Sequence, residues 1–188
     1  MIIIGLTGSL ASGKTTASKI ISNKKGPLFN ADKVVKKLYS QKKFKKLLAK
    51  KLNFKFDKSF KENLKNKILK KREILRKLEK IIHPLVRKEM KIFLKKNAKK
   101  KLLFLEIPLL IESKLTKYFD TIIFIKSNKN LRLKRFMSRG GSRELFSLLD
   151  NHQIKDSKKM KFCDHIVVNN KSLSVLKKKL SNIIYLYE

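Results

Sequence analysis

The chain has 188 residues, 42% of them hydrophobic, enough for one cored domain with a small insertion and too apolar for intrinsic disorder. Its apolar runs, Ile2–Leu6, Leu102–Leu105 and Thr121–Ile125, are strand-sized and far short of the ~20 residues that cross a bilayer, so no membrane insertion is expected. The formal charge of +35 comes from 42 Lys and only 7 Arg, scattered without interleaved aromatics, which reads as a solvated surface and not as a specific nucleic-acid site.

"MIIIGL" at the start is apolar throughout, as a buried parallel strand is, and resembles no signal peptide. With a single Cys163 besides, a cytoplasmic protein is expected. Lys14 to Ser22 opens a helix, and Pro27–Asp32 ("PLFNAD") is a short second strand. From Lys33 to Asn97 the pattern is helical and Lys-rich, with a break at Asn53–Ser59 and a helix start at Pro84. Lys101–Glu106 and "TIIFIK" are the third and fourth strands, Asn128–Ser138 a helix, "RGGS" a turn, and residues 142–155 a further helix. His165–Asn170 is the fifth strand, and Ser172–Leu186 a closing helix that Ser172 can cap. Strands alternating with helices predict an α/β fold, an open five-stranded parallel sheet with helices on both faces. The core takes residues 1–32 and 101–188, and the long helical stretch 33–100 forms a separate lobe.

Gly8-Ser9-Leu10-Ala11-Ser12-Gly13-Lys14-Thr15 matches G-x-x-x-x-G-K-[ST] between a strand and a helix, the context this phosphate loop requires. Gly8 and Gly13 permit backbone conformations and close approach that a Cβ would hinder. The helix start adds a positive dipole end, Lys14 a mobile charge, and the Thr15 hydroxyl a ligand for Mg²⁺. The loop therefore calls for a nucleoside triphosphate, ATP first. Three further groups bear on where the γ-phosphate goes. Asp32, at the end of the second strand, serves as a base toward an acceptor hydroxyl or caps the next helix. Glu106 ends four apolar residues as a metal-holding acid does, or is an ordinary strand-end charge. Pro108 and Glu112 follow it, placed to line an acceptor pocket. Arg132, Arg135 and Arg139 cluster in an Arg-poor chain beside a glycine pair, suited to a transferring phosphoryl group or simply one basic helix face.

"IGLTGSLASGKTT", "NAD" at 30–32, "LEKIIHPLVR" at 78–87, "EIPLLIE" at 106–112 and "CDHIVVNN" at 163–170 together resemble the dephospho-CoA kinase family over nearly the whole chain. The resemblance implies a P-loop kinase with a helical acceptor-binding lobe and a lid at about 139–155. It implies transfer of the ATP γ-phosphate, with Mg²⁺, to the ribose 3′-hydroxyl of dephospho-CoA, the last step of coenzyme A synthesis. It assigns ATP phosphates to Gly8, Ser9, Leu10, Ala11, Ser12, Gly13, Lys14, Thr15 and Thr16, and the adenine side to Asn169. Lys14, Asp32 and Arg139 become catalytic, Thr15 and Glu106 the metal side. His83, Arg87, Glu106, Pro108 and Glu112 become the acceptor side. Departures from the family pattern are Asn30 and Glu106 where it has Asp, Ser9 and Ala11 where it usually has Gly, and Leu149 where the lid has an arginine, while Gln153 is kept. Another P-loop kinase, or a nucleic-acid-stimulated P-loop ATPase, remains the alternative reading of the loop alone.

Overall fold

Ile2–Gly8 forms β1, the middle strand of the sheet in the computed structural model, which describes residues 1–53 and 56–188. Chain order continues with α1 (Lys14–Ser22), β2 (Leu28–Asn30), α2 (Ala31–Ser40), α3 (Lys42–Lys51), α4 (Phe60–Lys70) and α5 (Arg72–Lys96). Then follow β3 (Leu102–Glu106), a 3-10 turn at Thr116–Tyr118, β4 (Thr121–Lys126), α6 (Lys129–Met137), α7 (Arg143–His152), α8 (Asp156–Met160), β5 (His165–Val168) and α9 (Leu173–Tyr185). The chain divides into two compact units, Met1–Asn30 with Phe93–Glu188, and Ala31–Ile92.

In the first unit the strands lie in the order β2-β3-β1-β4-β5, all parallel. The chain leaves β1 toward β2 on one side and leaves β3 toward β4 on the other. The carboxyl ends of β1 and β3 therefore flank the crevice where such sheets bind ligands. Successive side chains along a strand point to opposite faces. On one face Ile4 and Leu6 of β1, Leu102 and Phe104 of β3, Ile123 and Ile125 of β4 and Val167 of β5 pack with Ala17 and Ile21 of α1 and Leu176, Leu180 and Ile184 of α9. On the other, Gly5 lets Phe119 and Leu110 close on β1, since a Cβ there would stand 2.8 Å from the Phe119 ring. Phe29 of β2 meets Phe93, at the end of α5, with ring centres 5.5 Å apart.

The second unit is built from Lys-rich amphipathic helices. Phe44, Leu48 and Ala49 are buried on α3 while its lysines stay outside. Tyr39 of α2 packs edge-on to Phe44, and burial pushes its phenol up to about 12. Of the predicted break at Asn53–Ser59, residues 54 and 55 lie outside the described residues; α3 ends before it and α4 begins after it.

Four local expectations need correction. Strand β2 stops at Asn30, and Asp32 lies in the first turn of α2, where a negative charge favours the helix dipole. Pro84 does not start a helix but sits inside α5. The ring is exposed, and the buried stripe Leu75, Leu78 and Ile82 holds the helix together through the one backbone bond that proline cannot make. The single helix expected over 142–155 breaks after His152 into α7 and α8. Ser142 caps α7 by accepting from Leu145 N at 3.2 Å, whereas the Ser172 hydroxyl at the start of α9 pairs with the Ser174 hydroxyl instead of a backbone amide. Among the described residues no helix is long and apolar enough to cross a membrane.

Leu180 is fully buried between α1, α9 and the sheet, while Leu173 of the same helix is 61% exposed. Leu180→Ala is expected to cost about 3 kcal/mol in denaturant unfolding, and Leu173→Ala well under about 0.5 kcal/mol. Burial first, and the Asp164 charge second, push the Cys163 thiol up to about 12. Iodoacetamide at pH 8 should therefore modify native Cys163 at least about tenfold more slowly than the urea-unfolded chain, because only the thiolate reacts.

Candidate active site

Residues 8–16 run from the end of β1 into α1 and carry three positive φ angles: Gly8 at 147°, Ala11 at 57° and Gly13 at 97°. Space as well as conformation demands glycine at two of them. A Cβ on Gly8 would stand 2.3 Å from the Ile125 carbonyl oxygen, and one on Gly13 would stand 2.3 Å from Asn169 Nδ2. Ala11 adopts the left-handed conformation with a Cβ, at a cost of about 1 kcal/mol that glycine would avoid.

The outer rim of the loop is held by side chains. The Leu10 carbonyl accepts from Arg132 Nη1 at 3.3 Å, and the Ser12 carbonyl from Arg135 Nη1 at 3.3 Å and Asn169 Nδ2 at 2.9 Å. Across a planar trans peptide the carbonyl and the next N–H point in opposite directions. Fixing the Leu10 and Ser12 oxygens outward therefore turns the Ala11 and Gly13 amides inward. Inside the loop, Lys14 Nζ donates to the Gly8 and Ser9 carbonyls at 3.0 and 2.7 Å. Ser12 Oγ is a buried hydroxyl with no hydrogen-bond partner among the described residues. A lysine resting on carbonyls, an unsatisfied hydroxyl and inward amides at a helix N-terminus are the donor set that a polyphosphate takes up. Thr15 and Thr16 follow, exposed on the first turn of α1.

Glu106, 1% exposed, closes one side of the loop. Residues aligned in a parallel sheet point to the same face, and Glu106 is aligned with Leu6 of β1 and Asn30 of β2. Its carboxylate consequently faces α1, accepting from Thr15 Oγ1 at 2.6 Å and Ser18 Oγ at 2.8 Å, and meets Asn30 Nδ2 from the neighbouring strand. Asn30 thus supplies a donor where a second carboxylate would repel. Among the described residues there is no cluster of three His, Cys, Asp or Glu able to enclose a metal. The hydroxyl of Thr15 and the single acid Glu106 form instead the sparse, hard-oxygen set suited to a cation whose other ligands are phosphate and water.

The segment after β3 is tied in on both sides. The Pro108 carbonyl accepts from Thr7 Oγ1 at 3.0 Å. Glu112 Oε1 pairs with Lys159 Nζ at 2.6 Å and accepts from Ile154 N at 3.2 Å. Arg132 forms a buried two-point ion pair with Asp150 of α7 and lies over the Phe146 ring at 5.6 Å, which makes it a brace between loop and helix. Arg135 reaches Ser127 Oγ at 3.2 Å and the Asn169 carbonyl at 3.3 Å; burial, and then the Arg139 charge, lower its pKa. Arg139 itself is exposed just after α6, next to Gly140 at φ 82°. Leu149 is half-buried on α7, and Gln153 Oε1 accepts from Lys159 Nζ at 3.1 Å.

The first unit thus gathers Gly8 to Thr16, Glu106, Asn169, Arg132 and Arg135. In the second unit, Asp32 opens α2, and His83 and Arg87 stand four residues apart on α5 and so share one face. Sequence reading did not find the braces: the bonds from Arg135 and Asn169 to Ser12, the buried Lys159, and Asp156. The one signal for the last was an acid inside the Lys-rich run 155–161.

The model of the dephospho-CoA kinase family matches residues 2–174. The chain belongs to the dephospho-CoA kinase family. It is therefore an ATP-using phosphotransferase of coenzyme A biosynthesis with the fold of P-loop kinases. A dephospho-CoA kinase from Zymomonas mobilis is 34% identical over 97% of this chain and 95% of its own. TT1252 from Thermus thermophilus superposes with a TM-score of 0.79 at 26% identity, covering 100% of this chain and 98% of that one. Dephospho-CoA kinase from Campylobacter jejuni gives 0.66 at 26% identity, over 97% and 95%.

In this kinase, Asn30→Asp would press a second carboxylate against the buried Glu106. Thermal or denaturant unfolding should show a loss of about 1–3 kcal/mol. An unchanged midpoint would mean that the Asn30–Glu106 contact does not stabilise the site.

Proposed function

We propose that this kinase transfers the γ-phosphoryl group of ATP to the ribose 3′-hydroxyl of dephospho-CoA, giving coenzyme A and ADP. The observation that carries the reading is the loop itself, with its inward amides, the unpartnered Ser12 hydroxyl, Lys14, and the Thr15–Glu106 pair at its edge. In this reading the amides of residues 8–16 and the Lys14 ammonium take the β- and γ-phosphates, and Asn169 borders the adenine. Thr15 and Glu106 would hold Mg²⁺, which would supply positive charge beside the phosphates.

His83 and Arg87, in the unit Ala31–Ile92, bind the acceptor; in the other unit Glu106 and Pro108 have the same role, and Glu112 supports that segment through its pair with Lys159. Asp32 aligns the 3′-hydroxyl and takes its proton as the new O–P bond forms and the bond to the ADP oxygen breaks. Arg139, exposed at the start of the lid segment 139–155, swings in to neutralise the transferring group. A cytoplasmic setting belongs to the same proposal.

A coupled ADP-release assay with dephospho-CoA, adenosine, AMP and shikimate as competing acceptors tests the substrate. Turnover confined to dephospho-CoA supports the reading, and preference for another acceptor overturns it. Asp32→Asn is expected to lower kcat by about a hundredfold or more with ATP affinity unchanged. Near-normal turnover would remove Asp32 from the chemistry.

A further inference from the structure

Ser9 is the hub of the phosphate loop. Its carbonyl accepts both from Ser12 N at 3.2 Å and from Lys14 Nζ at 2.7 Å, so the place of the Ser9 peptide sets the turn of the loop and the aim of the Lys14 ammonium. The residue before it is Gly8, at φ 147°, a pivot without a side chain to restrain it. The Ser9 hydroxyl lies 2.6 Å from both carboxylate oxygens of Asp156. Ser9 is 1% exposed, so the contact is sheltered from water on the loop's side.

Asp156 is delivered from a fixed support. It opens the short helix α8, and Lys159, three residues on, is wholly buried with its ammonium on Glu112 and Gln153. That pairing fastens α8 to the segment after β3. Both Asp156 oxygens are turned to Ser9.

We infer that Asp156 is a positioning residue for ATP, anchoring the phosphate loop through the Ser9 hydroxyl and thereby fixing the Ser9–Ser12 turn and the aim of Lys14. The inference rests on the nucleotide site proposed above. It assigns a function to two residues by which this chain differs from a bare glycine-rich loop: the anchor replaces rigidity that Gly8 does not provide. A carboxylate placed there only by chance would, by its charge, oppose a polyphosphate, so the two possibilities predict opposite signs.

The test uses the full-length kinase without acceptor, measuring ATP affinity by displacement of a fluorescent ATP analogue, with thermal melts alongside. Asp156→Ala and Ser9→Ala should each weaken ATP about tenfold, as loss of a charge-assisted hydrogen bond does. The double variant should be no worse than either single one, since both remove the same contact. Asp156→Asn, whose amide oxygen accepts the same bond, should stay within about twofold of the parent. In a separate steady-state assay with acceptor added, the KM for dephospho-CoA should not move in Asp156→Ala. Unchanged or tighter ATP binding in Asp156→Ala, additive losses in the double variant, or Asp156→Asn as weak as Asp156→Ala would each overturn the inference. If Asp156→Ala melts too early to assay, Ser9→Ala decides from the loop's side. Lys14→Ala separates the two levels: weak ATP binding there with normal binding in Asp156→Ala rejects only the anchor, whereas normal binding in Lys14→Ala rejects the nucleotide site as well.

Discussion

A buried carboxylate must be answered by donors, and the Glu106 carboxylate at the end of β3 is answered from two directions. Thr15 and Ser18 reach it from α1, and Asn30 from β2. The contact is possible only because the parallel register sets Leu6, Asn30 and Glu106 side by side on the face that α1 covers. It joins the helix that begins at the phosphate loop to the strand that leads into Pro108 and Glu112. Glu106 is one methylene longer than the aspartate usual in the family, and Asn30 carries one charge fewer. The two departures fit each other: the longer acid meets its neighbour, and the neighbour has become a donor.

The loop illustrates a second constraint. Glycines let a chain bend around phosphates but do nothing to hold it there. Arg132, Arg135 and Asn169 grip its carbonyls from outside, so that the amides on the inner side are ordered before any ligand arrives. These braces come from α6 and from the end of β5, on the far side of β4 from β3. Two of the chain's 7 arginines are used this way, each making contacts in which a planar fork of donors matters. The lysines, by contrast, are carried mostly on solvated helix faces such as that of α3, where a flexible stem and a hydrated charge are tolerated without specific partners.

Much of this was legible beforehand. Continuous apolar runs marked β1, β3 and β4, the mixed runs PLFNAD and HIVVNN marked β2 and β5, and the spacing Gly8, Gly13, Lys14, Thr15 named the loop in its strand-to-helix context. Where sequence reading failed, the cause was local. Pro84 looked like a helix start because proline favours that position, yet a long buried stripe on α5 outweighed one missing hydrogen bond. Ser172 looked like a cap, but its hydroxyl found Ser174 first. The 142–155 stretch looked continuous, but it ends at His152 and resumes as α8.

What the amino-acid order determined by itself is most of what depends on near neighbours: the sequence of strands and helices, the phosphate loop, and the motifs that mark the family. Only the tertiary structure decided who holds whom across long separations, as in Ser9 with Asp156, Glu112 with Lys159, and Ser12 with Asn169. Periodicity reports which face of an element is buried, but strand order and register choose the partner it is buried against. A lone acid or lysine in a basic stretch carries no mark of that choice until the sheet is assembled.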